Sequence, residues 1–185
     1  KAANYRSLAS RAKGQGVDCF TFSGTTSNNA AQIFKDFSAA IPDAKLYGPD
    51  GVAEAAFTDP KEGGIPANVA QKTTLTVATL SPDEYPPEGR EFFQQYEEKY
   101  GDESPDPYAI YGYEAANLAL DAIERAGSGD RAEILKALFE TKDRQSVLGT
   151  YSIDENGDTS LTDYGVYSID GGELKFDQTI KAQAQ

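Results

Sequence analysis

Two short stretches concentrate the side chains able to hold a small polar solute. The run Thr25-Thr26-Ser27-Asn28 places three hydroxyls and an amide on consecutive residues, and Asp50 lies in Gly48-Pro49-Asp50-Gly51. Hydroxyls offer neutral hydrogen bonds, and a carboxylate suits an ammonium group. Each stretch also has a plainer use. Ser and Asn satisfy the orphan N–H groups at a helix start, and Asp is common in turns. The hydroxyl run exceeds what one cap needs, so capping and binding both stand as readings of it. For Asp50 taken alone the turn reading is the stronger. Tyr108, in the cluster Tyr108, Tyr111 and Tyr113, is a third candidate, because tyrosine lines a cleft with an apolar face and a polar tip.

Other chemistries lack their residues. The chain has no His, which removes the commonest general base and the usual zinc ligand. One Cys permits no intrachain disulfide and no Cys-rich metal site. Cys19 itself reads as a small core residue of a strand. Gly127-Ser-Gly129-Asp-Arg-Ala132 matches a dinucleotide fingerprint in letters only, since it follows a helical stripe rather than a strand. Asp154, Asn156, Gly157 and Asp158 resemble a calcium loop, but the glycine comes too early and Gly165 occupies the twelfth position, so a hairpin turn is favoured. No paired-carboxylate or phosphate-loop constellation is present. An enzyme is therefore the last-ranked reading, and no cofactor or metal is expected.

The elements that must position the candidates follow an α/β rhythm. Tyr5, Leu8, Ala9 and Ala12 fall at helical spacing after Asn4. Val17–Ser23 reads as a buried strand, and Ala30, Ile33, Phe34, Phe37 and Ile41 form one face of a helix that stops at Pro42. Ala44–Tyr47 and Thr73–Thr79 read as strands, with a loop between them. Thr25–Asn28 and Asp50 thus follow successive strands of a parallel sheet, beyond whose carboxyl ends ligands of open α/β sheets bind. Three helices are predicted next. Their stripes are Phe92-Phe93-Tyr96-Tyr100, Tyr113-Ala116-Leu120-Ile123 and Ile134-Leu135-Leu138, the last behind an Asp130/Glu133 capping box. The tail is β-like, with a hairpin turn at Asp170-Gly171-Gly172.

A length of 185 residues is one domain's worth. The formal net charge is −13, from 17 basic and 30 acidic residues. Such a chain repels nucleic acid and anionic membrane surfaces, and no apolar run is long enough to span a bilayer. The three middle helices have no strands of their own, and the chain holds no Met. The expectation is the later portion of a larger α/β protein. The unmatched stripes then predict self-association of the 185-residue chain.

Four stretches together resemble one family: V-D-C-F-T-F-S-G-T-T at 17–26, A-K-L-Y-G-P-D-G-V at 44–52, Y-G-Y-E-A-A-N-L-A-L-D-A-I-E-R-A-G at 111–127 and G-T-Y-S-I-D-E-N-G-D at 149–158. They look like the type I periplasmic solute-binding proteins of branched-chain amino-acid (Leu/Ile/Val) ABC importers, across nearly the whole chain and in the right order. The resemblance implies a doubly wound, mainly parallel α/β fold, here an incomplete fragment lacking most of the first lobe. Residues 1–80 would form a second-lobe α/β segment, 81–146 a helical segment of the first lobe, and 147–185 a β-rich return to the second lobe. It also implies a secreted or lipid-anchored receptor in the periplasm or outside the cell. That receptor would bind an amino acid or related molecule between two lobes and deliver it to a membrane ABC permease. A ligand-sensing domain of a receptor or regulator on the same fold is the alternative. By resemblance the ligand-binding residues are Thr25, Thr26, Asp50 and Tyr108. Asp50 falls where the family places an acidic residue for the ligand ammonium. Tyr108 falls on an aromatic that packs against the ligand side chain. Thr25 departs from an aromatic contact.

Overall fold

The computed structural model of the chain describes residues 3–101 and 105–182. The chain order is α1 (Arg6–Gly14), β1 (Cys19–Thr21), α2 (Ala30–Ala40), β2 (Lys45–Pro49), α3 (Ala55–Thr58), α4 (Ala67–Ala70), β3 (Thr73–Val77), α5 (Pro87–Tyr100), α6 (Ala109–Ala126), α7 (Arg131–Phe139), β4 (Arg144–Ser146), β5 (Gly149–Tyr151), β6 (Asp163–Asp170) and β7 (Glu173–Lys181). Two compact units result. One holds the described residues of Lys1–Ala78 and Tyr164–Lys181, the other those of Thr79–Asp163 together with Ala182.

The first unit is built on a five-stranded sheet of order β1-β2-β3-β6-β7. Cys19 pairs with Lys45 and Leu46 with Thr73 in parallel ladders, and Leu75 pairs with Tyr167 in an antiparallel one. The carboxyl ends of β1, β2 and β3 therefore share one edge of the sheet. Helix α2 forms because Ile33, Phe34 and Phe37 recur on one face; all three are buried. Phe34 packs edge-on to Phe57 at 4.9 Å, and Phe37 stacks on Phe20 at 4.1 Å. Phe34, Phe57, Leu46 and Leu75 are fully buried, each worth roughly 1.5–3 kcal/mol relative to exposure. Asp36 of α2 accepts the Tyr5 N–H at 2.6 Å and so fixes the start of α1.

Three expectations are corrected here. Cys19 is exposed, not a core residue. The strand it sits in is three residues long, lies at the outer edge of the sheet and alternates so that Phe20 faces α2 while Cys19 and Thr21 face outward. Strand β2 runs on through Gly48 and Pro49 rather than ending at Tyr47. The segment between β2 and β3 is not a featureless loop. It carries the one-turn helices α3 and α4, whose Phe57 and Val69 are buried.

The second unit is helical, with a small hairpin formed by β4 and β5. Asp130 caps α7 by accepting the N–H groups of Ala132 and Glu133. Tyr85, Ile110 and Val147 form the buried cluster of this unit, flanked by Leu80, Phe92, Phe93, Tyr111 and Leu148. The return to the first unit comes at Tyr164 rather than at residue 147. Residues 147–163 stay with the helices because Tyr151 donates its hydroxyl to Glu114 of α6 at 2.8 Å and the Ile153 N–H donates to the Thr141 carbonyl, just past α7, at 3.0 Å. Residues 183–185, at the end of the expected β-rich return, lie outside the described residues. The α6 and α7 stripes are largely uncovered: Leu120 is 65% exposed and Leu135 54%. The buried side of α6 is instead Ile110, Glu114 and Ala122. Among the described residues no helix is long and apolar enough to cross a membrane.

Candidate functional site

Strands β1 and β2 are parallel neighbours, so the loops leaving their carboxyl ends must emerge side by side. The first loop carries Gly24 and Thr25 into a 3-10 turn over Thr26–Asn28. The second enters a 3-10 turn over Asp50–Val52. They touch: the Thr26 hydroxyl donates to the Gly51 carbonyl at 3.4 Å. A Cβ on Gly51 would stand 2.6 Å from the Gly24 carbonyl oxygen and 3.2 Å from Thr25 Cγ2, so glycine is what lets the second loop lie against the first. A Cβ on Gly48 would meet Leu75 and Val52 side chains at 2.8 Å, which seats buried Val52 under the turn and holds Asp50 at the sheet edge.

Within the first loop Asn28 is the organiser. Its Oδ1 accepts the Thr25 N–H at 2.9 Å and the Thr25 hydroxyl at 3.0 Å. The Thr25 and Ser27 hydroxyl oxygens are 2.8 Å apart. Asn29 then adopts the left-handed conformation, φ 65°, and starts α2. Thr25, Ser27, Asn28 and Asp50 are exposed, and Thr26 is half-buried. Capping and solvent presentation are thus features of the same loop.

Thr25, Thr26 and Asp50 come together on one edge of the first unit. Tyr108 lies in the second unit, at the residue preceding α6. Its N–H donates to Asp106 Oδ1 at 2.9 Å, and its ring centre is 5.9 Å from that of Tyr111. Sequence reasoning did not single out Ser27 or Asn28 individually, although both belong to the hydroxyl run. It also missed a polar network in the second unit. Glu114, 5% exposed at its side chain, accepts Arg144 Nε at 2.7 Å and the Tyr151 hydroxyl at 2.8 Å. Arg144 also approaches Asp121, which accepts Arg125 Nε at 2.8 Å. Burial, then the hydrogen bond to Glu114, raises the Tyr151 pKa well above that of an ordinary phenol. An open cavity of about 380 Å³ beside this network is lined by Phe92, Tyr113, Glu114, Asn117 and Arg144. Its buried charges already satisfy each other, so the network is a strut between α6 and the hairpin. Among the described residues no group of three or more His, Cys, Asp or Glu is placed to hold a metal ion.

The sequence model of the periplasmic binding proteins matches residues 1–173. The chain belongs to that family. Its fold is that of the type I periplasmic binding proteins. It resembles the solved leucine binding protein LivK of Thermotoga maritima, with a TM-score of 0.80 and 26% identity over 97% of this chain. LivJ of Streptococcus pneumoniae, solved with isoleucine, has the same fold at a TM-score of 0.74 and 21% identity over 98% of this chain. The chain spans about half the length of these structures, 49% of each. A curated relative, the leucine-, isoleucine-, valine-, threonine- and alanine-binding protein of Pseudomonas aeruginosa, is 25% identical over 89% of this chain and 41% of its own length. A Leu/Ile/Val-binding protein homolog of Brucella abortus is 38% identical over 37% of this chain and 18% of its own. These relatives and fold neighbours of this periplasmic binding protein are substrate-binding proteins, not enzymes.

Proposed function

We propose that the chain acts as the solute-binding receptor of an ABC importer and performs no chemistry. It binds a small amino acid or related amine and delivers it to a membrane permease. The receptor works in the periplasm or outside the cell, secreted or lipid-anchored. Asp50 takes the ligand ammonium, Thr25 and Thr26 supply hydrogen bonds, and Tyr108 packs against the ligand side chain. The observation that carries this reading is the contact between the Thr25–Asn28 and Asp50–Val52 loops at the carboxyl edge of parallel strands, in a chain of this family. A thermal-shift screen of the twenty amino acids tests it. A ligand at about 100-fold its dissociation constant stabilises the protein by about 2.7 kcal/mol. At least one amino acid raises the midpoint if the reading holds. A flat screen at millimolar concentrations rejects it.

A further inference from the structure

The strut between α6 and the β4–β5 hairpin balances its charges but does not use up its hydrogen-bonding capacity. Arg144 Nε and the Tyr151 hydroxyl both donate to Oε1 of Glu114. Among the described residues no donor reaches Oε2 of the same carboxylate. The Glu114 side chain is 5% exposed, so this oxygen is an acceptor held almost wholly out of bulk water, which is costly unless a donor meets it. It is not sealed in, because no fully enclosed side-chain nitrogen or oxygen among the described residues lacks a partner. Oε2 therefore opens onto the cavity of about 380 Å³ that Glu114 lines. The rest of the lining says what that cavity takes. Helix α5 supplies Glu88, Glu91 and Phe92, and α6 supplies Tyr113 and Asn117. The Phe92 and Tyr113 ring centres are 5.0 Å apart and make one aromatic wall. Glu88 and Glu91 are exposed and stand at the mouth. Arg144, the cation of the lining, is already engaged by Glu114 and Asp121. Glu91 accepts the Gln95 amide at 2.9 Å, and among the described residues no ion pair or hydrogen bond engages the side chain of Glu88 or Asn117. The carboxylates are too dispersed to share a metal ion, which favours an extended cation.

We propose that this cavity is a second ligand site, for a short linear aliphatic diamine. One ammonium donates to Glu114 Oε2 and to the Asn117 amide oxygen, a charge-assisted bond in a poorly solvated place. The methylene stem lies on Phe92 and Tyr113, whose ring faces also favour a cation. The second ammonium meets Glu88 and Glu91 at the mouth. A neutral alcohol of the same length brings no charge to the carboxylates, and an anion is repelled by them. The site lies wholly within the second unit and goes beyond the reading of the Thr25 and Asp50 loops, on which it does not depend.

The chain holds no Trp, so Tyr113→Trp, at a position 47% exposed, sets a single indole at the cavity. The full 185-residue chain carrying Tyr113→Trp together with Asp50→Asn, which removes the carboxylate of the loop pair, is titrated with putrescine, butylamine, butanol and butyrate while indole emission is followed. Calorimetry of Asp50→Asn alone with the same four solutes checks the order without the indole. The expected result is a saturable change with putrescine, binding about tenfold weaker for butylamine, and none for butanol or butyrate at the same concentrations. Adding Glu88→Gln and Glu91→Gln brings putrescine down to the affinity of butylamine and leaves butylamine nearly unmoved; a diffuse attraction to an acidic surface would weaken both by one factor. Asn117→Leu weakens both amines. No saturable binding of putrescine, butanol binding as tightly as putrescine, or a putrescine-to-butylamine ratio unmoved by the two Gln substitutions overturns the inference. Each of these leaves the reading of the Thr25 and Asp50 loops in place, because the titrations are made without the Asp50 carboxylate.

Discussion

Replacing Gly51 by Ala adds one methyl group at the point where the two loops meet. Its Cβ would stand 2.6 Å from the Gly24 carbonyl oxygen, against an ordinary contact of 3.4 Å or more. The obstructing atom is backbone, so no side chain can swing aside. Either the loops part or the β1 end shifts. Overpacking of this kind costs about 1–3 kcal/mol, offset by less than about 1 kcal/mol from the stiffer unfolded chain. The net expectation is a loss of about 1–2 kcal/mol, together with weaker amine binding because parting the loops draws the residue-51 carbonyl away from the Thr26 hydroxyl. Gly112→Ala is the matched control. Gly112 lies inside α6 and a Cβ there meets nothing within 4 Å, so the same methyl should stabilise by about 0.5–1 kcal/mol through helix propensity. Urea unfolding of both variants, with amino-acid titration of each, gives the comparison. A Gly51→Ala protein as stable as wild type with unchanged binding would refute the claim that the loops form one platform.

Three further outcomes are expected. The neutral Tyr151 phenol is favoured by folding, so its contribution is complete below about pH 10 and is lost as pH rises beyond that; alkaline melts should show this decline in wild type and not in Tyr151→Phe. Arg144→Ala leaves Glu114 buried with one partner fewer and should cost about 3 kcal/mol in urea unfolding, most of it recovered in Arg144→Leu/Glu114→Leu. Leu120 and Leu135 are more than half exposed, and covering them is worth about 1–2 kcal/mol each. Light scattering at micromolar concentration should therefore find the chain self-associated and Leu120→Glu/Leu135→Glu shifted towards monomer; a compact wild-type monomer would contradict this.

The sheet order around the site was readable because its signals are local. The α2 face and the Thr73–Val77 alternation each fix an element by themselves, and successive strands in a parallel sheet put Thr25 and Asp50 on one edge. What escaped depends on distant partners. Helices α3 and α4 are too short to show a period. Glu114 and Arg144 are 30 residues apart, and nothing in either neighbourhood announces the pair. The return point moved from 147 to 164 because a strand-like pattern does not say which sheet it joins. Cys19 was misplaced because a short apolar run looks buried whether or not its strand lies at an edge. Within the site, the residue types announced a polar loop, but only the positions of Asn28 and Gly51 reveal how it is held and how closely the second loop lies against it.

The most direct measurement is calorimetric titration of Asp50→Asn and Thr25→Ala with the amino acid that raises the melting midpoint most. Loss of one partner of a desolvated ion pair costs several kcal/mol, against about 1 kcal/mol for a neutral hydrogen bond. Asp50→Asn is therefore expected to weaken binding by well over tenfold and Thr25→Ala by about fivefold. The reverse order, or wild-type affinity in Asp50→Asn, would mean that Asp50 is a turn residue and that this edge of the sheet is not where the amine is held.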